Sequence, residues 1–129
     1  MNYLKKFIKS FFEKRLYNLG LSHILNIREK YNSIKNINHL DYKIYSQNGE
    51  DGIIDYLLCS LNILKPKFIE IGVGDYSESN TRFFFERTSA KGLIVDCIDD
   101  LNKKVSQNIK LWKGDLNIVE KKITSENIV

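Results

Sequence analysis

Lys67–Asp75, KFIEIGVGD, is the stretch whose reading decides the fold. Phe68 to Ile71 form a mostly apolar run that meets Gly72-Val73-Gly74 and then the acidic Asp75. A buried strand that runs into a glycine turn is the opening unit of a doubly wound α/β sheet, whose ligand lies outside the carboxyl end of the strand. Two glycines let the backbone turn sharply and leave room for a ligand to approach it. Glu70 sharpens the reading. A charge one position before the end of an apolar strand is costly to bury without a partner, so a carboxylate there suits a guest that carries positive charge.

Working outward toward the C-terminus, Tyr76–Thr81 leads into a helix predicted over 80–88, with Ser79, Asn80 or Thr81 as its cap. Its Phe83-Phe84-Phe85 triplet reads as core. Gly92–Asp96, GLIVD, is the second strand, and the strand–turn–helix–strand order predicts a parallel pair. Asp96 ends that strand about 22 residues beyond Gly74, where an acid accepts hydrogen bonds from ribose hydroxyls. Asp99 and Asp100 are expected to cap a helix over 100–108. A third strand is predicted at Ile109–Trp112, with Lys113-Gly114-Asp115 as the turn after it and Asp115 as a candidate for adenine contact.

Toward the N-terminus, Pro66 closes a connection from a helix predicted over 50–62, with Ile53, Ile54, Leu57, Leu58 and Leu61 turned inward. Asn48-Gly49 is a turn signal. Asn48 and Asp51 can cap that helix, and Glu50 and Asp51 suit the positive end of its dipole. Those two acids either cap only, or also fold over the ligand with the rest of the 46–52 turn. Tyr42–Tyr45 reads as a short extended segment. Residues 2–18 show apolar positions at Leu4, Phe7, Ile8, Phe11, Phe12 and Leu16, with lysines between them, and so predict an amphipathic helix ended by Gly20. Ser22 is expected to cap a second helix over 23–36.

The 129 residues suffice for one domain with a modest core. The net charge of +4 is uneven: residues 1–40 hold 8 Lys/Arg against 2 acids, and residues 41–129 hold 12 against 14. The chain therefore divides into a basic helical segment, 1–40, and a ligand-binding domain, 41–129. A basic amphipathic helix can lie on an anionic membrane surface, so residues 1–36 are read either as a peripheral membrane contact or as packing against the domain or a partner. The aromatics occupy the apolar stripe and do not alternate with the bases, which disfavours nucleic acid. No run of about 18 apolar residues and no secretory leader are seen. Cys59 and Cys97 lack metal-like spacing, and His23 and His39 are isolated. Buried free thiols, no metal and a cytoplasmic setting are expected.

Three nucleoside ligands fit such a unit. A P-loop is excluded because GVGDYS lacks Gly-Lys-Ser/Thr. A dinucleotide site wants G-x-G-x-x-G, and the third glycine position is Ser77. Glu70 and Asp75 would also set negative charge beside a diphosphate. S-adenosylmethionine carries a sulfonium and an ammonium, which carboxylates suit, and a ribose diol, which suits Asp96. Charge favours the methyl donor.

SQNGEDGIIDYLL at 46–58, FIEIGVGDYSESNTRFF at 68–84 and KGLIVDCID at 91–99 together resemble the FkbM-type S-adenosylmethionine-dependent methyltransferases. The resemblance runs from about residue 44 to 127. It implies a Rossmann-like class I methyltransferase fold and methyl transfer, often to a hydroxyl of a sugar or other small metabolite, commonly in polysaccharide biosynthesis. By position, Glu70, Gly72 and Gly74 match the donor loop and Asp96 the ribose acid. Asn80 and Thr81 match the SNT element, and Gln47, Glu50 and Asp51 match a signature expected to frame the donor pocket. Tyr76 stands where the family's donor loop carries a further glycine. ITSENIV at 123–129 resembles the segment before the family's fourth strand, so about three of seven strands are expected. Truncation is the favoured reading of that shortfall. The alternatives are a second chain that completes the sheet and a non-catalytic remnant that docks through its basic helices.

Overall fold

The computed structural model describes residues 3–29, 31–111 and 114–127. Helix α1 spans Tyr3–Arg28, followed by short 3₁₀ turns at Tyr31–Ser33 and Ile37–Leu40. Helix α2 (Glu50–Ser60) leads to strand β1 (Lys67–Ile71), then α3 (Arg82–Arg87), β2 (Lys91–Asp96), α4 (Leu101–Asn108) and β3 (Asp115–Glu120). The fold is α/β, with a three-stranded sheet in the order β1-β2-β3 and both pairings parallel. It is compatible with a partial Rossmann-like fold. β1 begins at Lys67 and β2 one residue before the predicted Gly92, so the opening βαβ unit is as the glycine turn foretold.

Register sets the two faces of the sheet. Phe68, Gly92 and Leu116 are in line, as are Glu70, Ile94 and Ile118. Ile94 is buried, and Phe68, Leu116 and Ile118 pack around it with Phe84 and Phe85 of α3 and Leu101 and Val105 of α4. The alternate residues point the other way, and there Ile69, Ile71 and Val119 are exposed. A smaller cluster joins Ile24 of α1 to Ile44, Tyr45 and Phe83. The phenylalanine triplet is thus core, divided between two clusters.

Several expectations are corrected. The third strand is Asp115–Glu120 and not 109–112: Ile109 caps α4 and is buried in the core, while Trp112 and Lys113 lie outside the described residues. Asp115 therefore starts a strand at the end of the sheet away from the glycine turn, paired there with Lys91 at 3.1 Å, and adenine contact is withdrawn. Tyr42–Tyr45 forms no strand, because the N–H groups of Ile44 and Tyr45 are both taken by the Asp51 carboxylate. Leu57 on α2 and Leu61 just after it are exposed, and the buried positions of the helix are Asp51, Gly52 and Asp55. Cys59 and Cys97 are free, as expected, but exposed.

The two predicted N-terminal helices are one. Gly20 does not end a helix. It lies within α1, buried against Ile44, whose Cδ1 would sit 2.4 Å from any added Cβ. A glycine that reads as a stop is here a close-approach site. Ser22 caps nothing; its hydroxyl donates to the Asn18 carbonyl one turn back at 2.9 Å. The end of α1 is fastened by the buried Asp55 of α2. That carboxylate accepts from Arg28 Nη2 at 2.7 Å and Nε at 3.0 Å, from the Tyr31 hydroxyl at 2.8 Å, and from Arg87 of α3. The bond to Asp55 is the main cause that raises the Arg28 pKa further above its ordinary value.

Asp55→Ala would leave two guanidinium groups without their shared anion. A loss of about 3–5 kcal/mol is expected, read as a shift of the urea midpoint at unchanged slope.

Candidate functional site

A cleft of about 490 Å³ opens at the carboxyl end of β1. Its floor is the glycine turn. Gly72 has φ +80° and Gly74 φ +56°, conformations that strain any residue with a Cβ. A Cβ built at either would meet nothing within 4 Å. The turn therefore needs glycine for its shape and leaves open space above the backbone. Gly72 N–H still bonds back to the Val95 carbonyl at 2.8 Å, which joins the turn to the end of β2.

The walls come from two loops. Gln47 and Glu50 come from the turn that opens α2, Asp75, Glu78 and Asn80 from the loop between β1 and α3, and Glu70 from β1. Four carboxylates, Glu50, Glu70, Asp75 and Glu78, line the cleft, and among the described residues no Lys, Arg or His does. Lys43 reaches the rim: its ammonium donates to the Gln47 carbonyl at 3.1 Å and pairs with Glu78 at 3.0 Å, so it ties the two loops together. The sequence reading missed this tie, since nothing in the local pattern aligns Lys43 with Glu78 across 35 residues.

Glu70 is the organiser of the second wall. Its Oε2 accepts from the hydroxyls of Ser79, at 2.6 Å, and Thr81, and its Oε1 accepts from Asn80 N–H at 3.0 Å. The SNT sequence is thus a set of donors folded onto one strand-end carboxylate. Ser79 also takes over the capping of α3, its hydroxyl accepting from the N–H groups of Thr81 and Arg82 at 3.1 and 3.2 Å. Asp96 plays the matching part on β2. Its Oδ2 accepts from Gly74 N–H at 2.7 Å, and its Oδ1 from Cys97 N–H at 2.6 Å and Ile98 N–H at 3.2 Å. A carboxylate oxygen can take two bonds, so Glu70 Oε1 and Asp96 Oδ2, with one each, retain capacity.

Of the residues singled out in the sequence, Gln47, Glu50, Glu70, Gly72, Gly74, Asp75 and Asn80 are brought together around the cleft. Thr81, Asp51 and Asp96 are not on its wall. Thr81 is buried between Glu70 and the Tyr76 hydroxyl, 2.7 Å away. Asp51 is buried, its Oδ2 accepting from the N–H groups of Ile44, Tyr45 and Ser46 at 2.7, 2.7 and 2.9 Å. Asp51 therefore shapes the loop that carries Gln47. Asp55, missed altogether, had a signal: it follows Asp51 by four residues, on the side of α2 where Ile54 and Leu58 pack on the core.

The acids titrate in opposite senses. Burial pushes Asp51 up against the pull of its three N–H partners. Burial is also the largest single influence on Asp75 and raises it, but the hydrogen bonds of Ser77 and Asn108 together bring it below the usual carboxylate range. Glu50, at the start of α2, is held low by its own backbone N–H and that of Asn48.

Tyr76 adopts φ +63° and is completely buried. The left-handed conformation costs about 1–2 kcal/mol, which its ring burial outweighs.

No family model, curated protein or solved structure matches the chain. The geometry of the cleft is what bears on its use.

Tyr76→Gly would relieve the strain but remove an aromatic side chain worth about 3–5 kcal/mol. A net loss of about 2 kcal/mol or more is expected in chemical denaturation. For Asp51 the folded pKa is raised, so its contribution to stability is complete below the unfolded value of roughly 3.9 and declines as pH rises through the folded value. The stability gap between wild type and Asp51→Asn should therefore shift in favour of the variant as pH is raised from about 4 to 7. Unfolding curves across that range would check it.

Proposed function

We propose that the cleft binds S-adenosylmethionine and that the chain supplies the donor site of an FkbM-like methyltransferase acting on a hydroxyl of a sugar or other small metabolite. The observation that carries this reading is the polarity of the cleft. Four carboxylates line it, Glu78 paired with Lys43 at the rim, and among the described residues no cation lines it. Many of the N–H groups that a phosphate could use are taken internally: Gly74 by Asp96, Ser77 by Asp75, Asn80 by Glu70, Tyr76 by the Val73 carbonyl and Ser79 by the Tyr45 carbonyl. A diphosphate seated on a glycine turn depends on such donors. A ligand with a sulfonium and an ammonium does not, and carboxylates within a few ångströms favour it.

The residues present fit this donor. Gly72 and Gly74 leave the space that side chains would fill. Glu70, Asp75 and Glu50 supply the negative field, and Asp96, off the cleft wall, holds the glycine turn in place by accepting from Gly74 N–H. When bound, the donor supplies an electrophilic methyl group. The chain's own part is to hold it in one orientation toward an acceptor oxygen. A cytoplasmic setting, where the donor is made and used, belongs to the same proposal.

Calorimetric titration of the folded chain tests it. Saturable heat is expected with S-adenosylmethionine and none with NAD. Asp75→Asn, which removes one charge and keeps the oxygen that accepts from Ser77, should weaken binding by about tenfold, or 1.4 kcal/mol. Saturable binding of NAD in place of the methyl donor would overturn the reading.

A further inference from the structure

The first four turns of α1 present their apolar residues away from the rest of the molecule. At about 100° per residue, Leu4, Phe7, Ile8, Phe11 and Phe12 fall within an arc of about 140°. All five are exposed, with Leu4 at 60%, Phe7 at 63%, Phe11 at 52% and Phe12 at 65%. The opposite side faces the domain. Lys9 donates to Asn108 at the end of α4 at 3.2 Å, and Lys9, Glu13, Tyr17 and, nearer the stripe, Lys14 line a groove of about 650 Å³ against α3 and α4. The helix thus packs with its polar side inward over these turns. Its register is held farther along by Gly20 on Ile44, by the burial of Ile24 and by the Arg28–Asp55 pair. Rotating the stripe inward would break all three.

The borders of the stripe are basic. Lys5 and Lys14 each lie about 20° outside the two edges of the arc, and Arg15 lies within it, one turn beyond Phe11. Between residues 3 and 16 there are five cations and one acid, Glu13. A second copy is a poor cover for such a face. Antiparallel pairing centred on residue 10 sets Lys5 against Arg15, and parallel pairing sets each cation against itself, so like charges meet either way. The complement this surface needs is a broad apolar layer edged by negative charge. Long cationic side chains beside it can reach outward while their stems lie on the apolar layer. Among the described residues no helix is long and apolar enough to cross a membrane, which leaves the interfacial mode.

We infer that α1 docks the protein on an anionic phospholipid surface, with Leu4, Phe7, Ile8, Phe11 and Phe12 inserted among the acyl chains and Lys5 and Arg15 at the headgroups. The donor cleft lies on loops from β1 and α2 and is not used for docking. Titration of the cleft with S-adenosylmethionine and binding to vesicles are therefore independent readouts.

The test is co-sedimentation of the full chain with vesicles of equal parts phosphatidylglycerol and phosphatidylcholine. Binding is expected, and should be lost on pure phosphatidylcholine. It should fall as salt rises from about 0.1 M to about 1 M, where the Debye length shortens from about 10 Å to about 3 Å. Phe7→Ser with Phe11→Ser, both solvent-facing, should lower the partition coefficient by about tenfold or more. Lys5→Gln with Arg15→Gln should lower it by about tenfold or more as well. Circular dichroism and the urea midpoint would show each variant folded. Equal binding to both vesicle types, binding indifferent to both double variants, or no binding by a chain that light scattering shows to be a dimer, would each overturn the inference.

Discussion

Backbone N–H groups stranded at the ends of strands and in tight turns need acceptors, and in this protein carboxylates provide them. Glu70 takes Asn80 N–H and the two hydroxyls that flank it. Asp96 takes those of Gly74, Cys97 and Ile98. Asp51 takes three in succession, from Ile44 to Ser46. Glu120, at the end of β3 and in register with Asp96, takes Leu101 N–H at the start of α4 at 3.1 Å. Unpaired buried donors cost about 1–3 kcal/mol each, so these few acids decide how every loop at this end of the sheet can run. A hydrogen bond from a backbone N–H to a carboxylate is charge-assisted and shorter than a neutral one, and the bonds to Asp51 and those from Gly74 and Cys97 to Asp96, at 2.6 to 2.9 Å, fit that description.

The same acids give the cleft its character. A loop whose N–H groups are turned onto its own carboxylates has few left for a phosphate. It shows an approaching ligand the negative side of those pairs. Structure and electrostatic field are therefore one arrangement: the fold needs acceptors at the strand ends, and the residue type that meets this need also sets the sign of the field. The glycines add only space. This is why charge, more than the glycine spacing, separates the ligands that an α/β turn could hold.

Asp55 has a different office. It anchors α1 to α2 and α3 through two arginines and a tyrosine, and a carboxylate with so many donors fixes the orientation of the long helix more sharply than apolar packing could. That orientation turns the aromatic stripe outward. The helical period of residues 2–18 was legible from the sequence, as was its basic border. Which side would face the domain was not, because both sides carry groups that can pack: Tyr17 and Ile24 on one, Phe7 and Phe11 on the other. Gly20 decided it by admitting Ile44 where any side chain would collide.

The sequence by itself determined the opening βαβ unit, the parallel pairing, the glycine turn and the ring of acids at its mouth. Those follow from local rules: apolar runs of strand length, residues that alone tolerate positive φ, and charges at strand ends. The tertiary structure decided which acids face the cleft and which hold loops, placed the third strand at 115–120, merged two predicted helices into one and withdrew Asp115. Each of these depends on contacts between residues far apart in the chain. A carboxylate that reads as a ligand and one that reads as a backbone acceptor differ only in what the fold brings within 3 Å of them.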